Sequence, residues 1–141
     1  MTLKTFRVEI ESETQNLAFV RKELRSFLEQ TGFPAKTLES ILVAIGEACT
    51  NSIRHAYQGE KGHKIQVSAE DLGDKVVFKI RDYGQQIDLT KLKTPELPPK
   101  KGGGLGVYFM QTIMDELKYN THLEQGNELV LTKHKEGERR P

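Results

Sequence analysis

The spacing of apolar residues changes several times along this chain, and each change marks an element. Residues 4–11 alternate as a half-buried strand. From Leu17 the period becomes helical, with Val20, Leu24, Phe27 and Leu28 on the same stripe, and Ser12 followed by Gln15 has the spacing of a capping box ahead of it. "TGFP" closes this helix, since Gly32 suits a helix C-terminus and Pro34 the first turn of the next helix. In that second helix Leu38, Ile41, Leu42, Ile45, Ala48, Cys49, Ile53 and Ala56 fall on one face at ~100° per residue. It is the clearest element of the chain.

Ile65, Val67 and Ala69, then Val76, Phe78 and Ile80, alternate on either side of "LGDK", which predicts an antiparallel hairpin. Residues 84–103 lose the pattern, and Pro95, Pro98, Pro99, several lysines and a glycine cluster predict a long loop. Loops of that length inside one domain are often functional, lids among them. Helical spacing returns at Val107, Met110, Ile113, Met114 and Leu117, and a last hairpin turns around "EQGNE" with Leu129 and Leu131 on one side. The basic tail "KHKEGERRP" is expected to fray. The order strand, helix, helix, strand, strand, loop, helix, strand, strand predicts an α+β, two-layer sandwich rather than a doubly wound parallel sheet.

Composition narrows the setting without naming a role. The 141 residues suit one domain, read as spanning 1–141, and 36% hydrophobic residues suffice for one core. Lys and Arg total 21 against 20 Asp and Glu, so no global field points to nucleic acid or an anionic membrane. The single cysteine, Cys49, forms no internal disulfide and falls on the apolar face. Neither a signal peptide nor a membrane-spanning run is expected, so a cytoplasmic protein is the default. His63, His122 and His134 lack the spacing of a zinc site.

Three stretches could carry chemistry. In "EACTNSIRHAY", Glu47 and Asn51 share a helix face away from the apolar stripe. Taken alone they are what any solvated face carries; taken as chemistry they are a general base and an oxygen ligand for a hard cation such as magnesium. His55 lies near Asn51, within reach of the same ligand or simply on the helix surface. In "IRDYGQ", Asp82 ends an apolar strand, where a carboxylate can accept a hydrogen bond from an exocyclic amine, and Gly84 permits a sharp turn toward a ligand. In "KKGGGLGVYFMQTIMDEL", Gly102, Gly103, Gly104 and Gly106 lead into a helix and leave backbone N–H groups for an anion. Neither a P-loop nor a dinucleotide fingerprint fits these glycines.

Together and in this order, Glu47-x-x-x-Asn51, Asp82-x-Gly84 and Gly102-Gly103-Gly104-Leu105-Gly106 resemble the N, G1 and G2 boxes of the GHKL ATPases, whose Bergerat fold is shared by histidine kinases and gyrase B. Within that group "EACTNSIRHAY" and "GLGVYFMQTIMDEL" are most similar to the anti-sigma factor serine/threonine kinases, and the likeness spans residues 8–133. The resemblance implies a mixed, mostly antiparallel sheet covered by three helices, ATP and Mg²⁺ as cofactors, and residues 85–103 as an ATP lid. It implies Glu47 as general base and Asn51 as magnesium ligand. Asp82 and Gly84 would hold the adenine, and Gly102, Gly103, Gly104, Leu105 and Gly106 the phosphates, with His55 and Lys101 added as phosphate contacts from their places in the sequence and not from the resemblance. Implied partners are an anti-sigma antagonist of STAS type and a sigma factor, with the chain acting as a homodimer.

The sequence departs from that pattern in four places. Gln86 stands where the G1 box usually has a second glycine, and "GNE" where the last strand often begins Gly-Thr, removing a hydroxyl near the adenine. Residues 85–103 contain no arginine, Lys100 and Lys101 being the nearest cations, and Pro98 and Pro99 stiffen the segment before the glycines. The first reading is therefore an ATP-dependent kinase that phosphorylates a serine of an antagonist. The alternative is a module that uses nucleotide to sequester a protein without phosphoryl transfer. A third is a detached histidine-kinase ATPase domain acting in trans.

Overall fold

The computed structural model describes residues 2–88, 105–120 and 122–135. Strand β1 (Lys4–Glu11) passes through one 3-10 turn (Thr14–Asn16) into α1 (Leu17–Leu28). Helix α2 (Ala35–Asn51) then runs without a break into a wider π turn over Ser52–Ala56, where the Tyr57 N–H reaches back to the Ser52 carbonyl at 3.0 Å. Strands β2 (Lys64–Asp71) and β3 (Lys75–Asp82) form the predicted hairpin, and α3 (Leu105–Ile113), β4 (Glu116–Tyr119) and β5 (Asn127–His134) complete the order. The sheet runs β1-β2-β3-β5-β4. Every described pairing is antiparallel, where the resemblance allowed a mixed sheet.

The three helices cover one face of this sheet. Alternation decides which residues meet them: Ile65, Val67 and Ala69 on β2, Val76, Phe78 and Ile80 on β3, and Leu129 and Leu131 on β5 all point inward and are buried. They meet Val20, Leu24, Phe27 and Leu28 of α1, Leu38, Ile41, Leu42, Ile45, Ala48 and Cys49 of α2, and Met110 of α3. Burial pushes the Cys49 thiol up to about 12, which keeps it a protonated packing residue. No helix among the described residues is long and apolar enough to cross a membrane.

Three local expectations need correction. Ser12 does not cap α1: its hydroxyl donates to the Glu60 carbonyl at 2.6 Å and accepts from the His63 N–H at 3.0 Å, fastening the end of β1 to the loop before β2. Leu117 is not the last turn of α3, since the final helical bond is Met114 N–H to Met110 O and the next residue, Asp115, already donates to Thr132 of β5. The start of the basic tail is held rather than frayed. Lys133 and His134 belong to β5, and the Lys135 ammonium pairs with the buried Asp71 carboxylate at 2.8 Å. Between the helices, Arg25 donates to Glu39 in a bidentate fork, with Nη2 to Oε1 at 3.1 Å, and so ties α1 to α2.

Candidate functional site

The inward phase of β3 runs Val76, Phe78, Ile80 and then Asp82, so the strand ends by placing a carboxylate where an apolar side chain would continue the core. Asp82 is 1% exposed. A buried carboxylate needs partners, and three side-chain or backbone donors supply them. The Ser52 hydroxyl donates to Oδ2 at 2.9 Å, while the Gly84 N–H and the Asn127 amide donate to Oδ1 at 3.1 and 3.0 Å. Asn127 stands directly opposite Asp82 in the β3–β5 register and shares the inward phase of Leu129 and Leu131. It stands at the position of the absent threonine, and its amide gives Asp82 a donor where that hydroxyl is missing. Ser52 and Asn127 were not among the sequence candidates.

Gly84 has an ordinary backbone angle, so it is not required by a left-handed turn. What requires it is a close approach. A Cβ at this position would lie 2.7 Å from the Ala56 carbonyl carbon, closer still to its oxygen, and 2.8 Å from Tyr57 Cδ1. The contact is locked by the Gln85 N–H donating to the Ala56 carbonyl at 2.8 Å and the Tyr83 N–H donating to the Tyr57 hydroxyl at 2.7 Å. Gly84→Ala is therefore expected to lower stability by about 2–3 kcal/mol, because the methyl meets backbone that cannot swing aside. Urea unfolding of the nucleotide-free protein checks this, and an unchanged midpoint would show that the end of β3 can shift away from the π turn.

Glu47 and Asn51 close α2 one turn apart, both partly exposed. Neither side chain takes part in a hydrogen bond or ion pair among the described residues. A Cβ on Gly106 would lie 3.4 Å from Glu47 Oε2, so the carboxylate rests against the first turn of α3. His55 projects outward from the π turn and is exposed. Leu105 begins α3, whereas Lys101, Gly102, Gly103 and Gly104, with residues 89–100 of the expected lid, lie outside the described residues. A separate surface cavity of about 640 Å³ opens beside Gly84 and is lined by Tyr57, His63, Tyr83, Gln85 and Gln125, but not by Glu47, Asn51 or Asp82.

The family model of the histidine kinase-like ATPase domain matches residues 10–133. Among curated proteins, a serine-protein kinase RsbW of Bacillus velezensis is 30% identical over 141 residues, covering 94% of this chain and 86% of that protein. The serine-protein kinase RsbW of Listeria innocua is 28% identical over 135 residues, with 90% and 85% covered. Among solved structures, the RsbU and RsbW domains of a Mycobacterium tuberculosis protein superpose with a TM-score of 0.66 at 21% identity, over 98% of this chain and 33% of that one. That likeness fixes the fold.

Proposed function

Because this chain belongs to the histidine kinase-like ATPase family, in its anti-sigma serine-protein kinase group, we propose that it binds Mg-ATP where α2, the end of β3 and the start of α3 converge and phosphorylates a serine of an anti-sigma antagonist. The observation that carries this is the pairing of a buried, pre-oriented carboxylate, Asp82, with a carboxylate and carboxamide, Glu47 and Asn51, that have no protein partner among the described residues. The donor set fits the group. Asn51 and Glu47 offer hard oxygen atoms of the kind magnesium takes, and Asp82 retains acceptor capacity on Oδ2 for an exocyclic amine.

ATP supplies the transferable γ-phosphoryl group. Asp82 receives the adenine amine and Gly84 shapes the wall beside it; Asn51 holds the metal. The phosphates are assigned to His55, Lys101, Gly102, Gly103, Gly104, Leu105 and Gly106 from the sequence, and Glu47 accepts the proton of the attacking serine hydroxyl. The proposal extends to a sigma factor as second partner and to a homodimer in the cytoplasm. A sequestering module without transfer is a second reading, favoured by the lack of any arginine in residues 85–103.

Thermal unfolding of the wild type and of Asn51→Ala, with and without Mg-ATP, tests the site. At ~100 times the dissociation constant the ligand adds about 2.7 kcal/mol to the folded state, a rise of roughly 5–10 °C in midpoint. The rise is expected in the wild type only with magnesium present and is expected to shrink in Asn51→Ala. No rise in a folded wild type would remove both readings. Acid-stable label on an antagonist serine separates the kinase from the sequestering module.

A further inference from the structure

We propose that Asn127 is the positioning residue of the base pocket: its carboxamide fixes the Asp82 carboxylate and the chain leaving β3 as one unit, leaving a single open acceptor. This rests on the nucleotide reading above. Both N–H donors and the carbonyl oxygen of the carboxamide are used. Nδ2 donates to Asp82 Oδ1 at 3.0 Å and to the Gln85 carbonyl at 2.9 Å, and Oδ1 accepts from the Ile87 N–H at 2.8 Å. The reverse orientation of the amide would set donor against donor at Ile87, so only one assignment satisfies all three groups.

The residue type follows from that count. Two donors and an acceptor oxygen in one plane are what a carboxamide offers; a hydroxyl has one donor, an aliphatic side chain none, and an ionised carboxylate would face Asp82 without a proton. Asn127 is 6% exposed, so water cannot take over these bonds cheaply. The turn before it is pressed onto the same strand end. A Cβ on Gly126 would lie 2.6 Å from Tyr83 Cα, and Arg81 Nη1 donates to both the Asp82 and the Asn127 carbonyls. With Oδ1 of Asp82 filled by Asn127 and Gly84, and Oδ2 already accepting from Ser52, the remaining lone pair points one way. Such a pocket takes a ring bearing an exocyclic amine and disfavours one bearing a carbonyl at that place.

The test compares wild type, Asn127→Ala and Asn127→Thr, using calorimetric titration with Mg-ATP and with inorganic magnesium triphosphate, and amide hydrogen exchange at Ile87. Asn127→Ala is expected to weaken ATP about 10- to 100-fold while triphosphate changes less than about twofold, with faster exchange at Ile87. Asn127→Thr restores one donor to Asp82, and is expected to recover most of the ATP affinity but not the slow exchange. Equal losses for ATP and triphosphate would reduce Asn127 to a structural part and overturn the proposal, as would unchanged ATP affinity. Should the alanine variant fail to fold, the threonine variant decides: near-native preference for ATP over triphosphate with fast Ile87 exchange supports the role, and native exchange overturns it. A folded wild type that binds triphosphate but not ATP overturns the nucleotide reading itself, together with this role.

Discussion

Glu47→Gln is expected to slow phosphoryl transfer to a serine by about 10²- to 10⁴-fold while Mg-ATP affinity stays within about threefold. The substitution keeps the shape of the side chain, so its contact with the first turn of α3 at Gly106 survives. It also sacrifices no hydrogen bond or ion pair among the described residues, so the fold has little to lose. What it removes is the capacity to accept a proton. A fall in rate alone therefore marks an interaction made in the transition state, whereas a parallel fall in ATP affinity would make Glu47 a binding group. The measurement is the initial rate of phosphoserine formation on the antagonist beside a calorimetric titration. An unchanged rate would reject Glu47 as the base and return it to the solvated face that a lone i, i+4 pair suggests.

The element order was legible because each segment buries one face at one period. Leu38 to Cys49 in α2 and Val76 to Ile80 in β3 sort into inward and outward sets without knowledge of their neighbours. Boundaries were less legible. Leu117 continues the spacing of Met110, Ile113 and Met114, yet Asp115 has already joined the sheet, since helical and strand phase coincide at that point. Ser12 has the local signature of a cap and spends its hydroxyl on Glu60, a partner no local rule supplies.

The candidate site was legible in its charges but not in its scaffold. Asp82 stood out as a strand-end carboxylate; that it continues the inward phase of Ile80, and that Asn127 does the same before Leu129, was available from parity alone. Ser52 was hidden because the π turn changes the angle at which residues after Asn51 leave the helix. The sequence reads Gly84 as a turn toward a ligand, and the requirement that the structure shows is the close approach of the Ala56 carbonyl. The meeting of Glu47 with Gly106 depends on how α3 lies against α2, a packing decision that neither helix encodes by itself.

Asp82→Asn is the sharper test of base recognition, because it changes one atom and reverses the hydrogen-bonding sense. In the native carboxylate Oδ1 accepts from Gly84 and Asn127, and those two donors hold the carbonyl oxygen of an asparagine in the same place. Its amide nitrogen then replaces Oδ2. The Ser52 hydroxyl can rotate to accept from it, so the loss of folding free energy is expected to be small, about 1–2 kcal/mol. The ligand has no such freedom: an exocyclic amine arriving at an N–H meets donor against donor, and the charge-assisted bond is gone. ATP affinity is therefore expected to fall about 100-fold, while GTP, which carries a carbonyl at that position, falls less, so the preference narrows or inverts. Titrations with both nucleotides, beside thermal unfolding without nucleotide, separate the two effects. Equal losses for ATP and GTP in a folded variant would place Asp82 in the scaffold and move the base elsewhere.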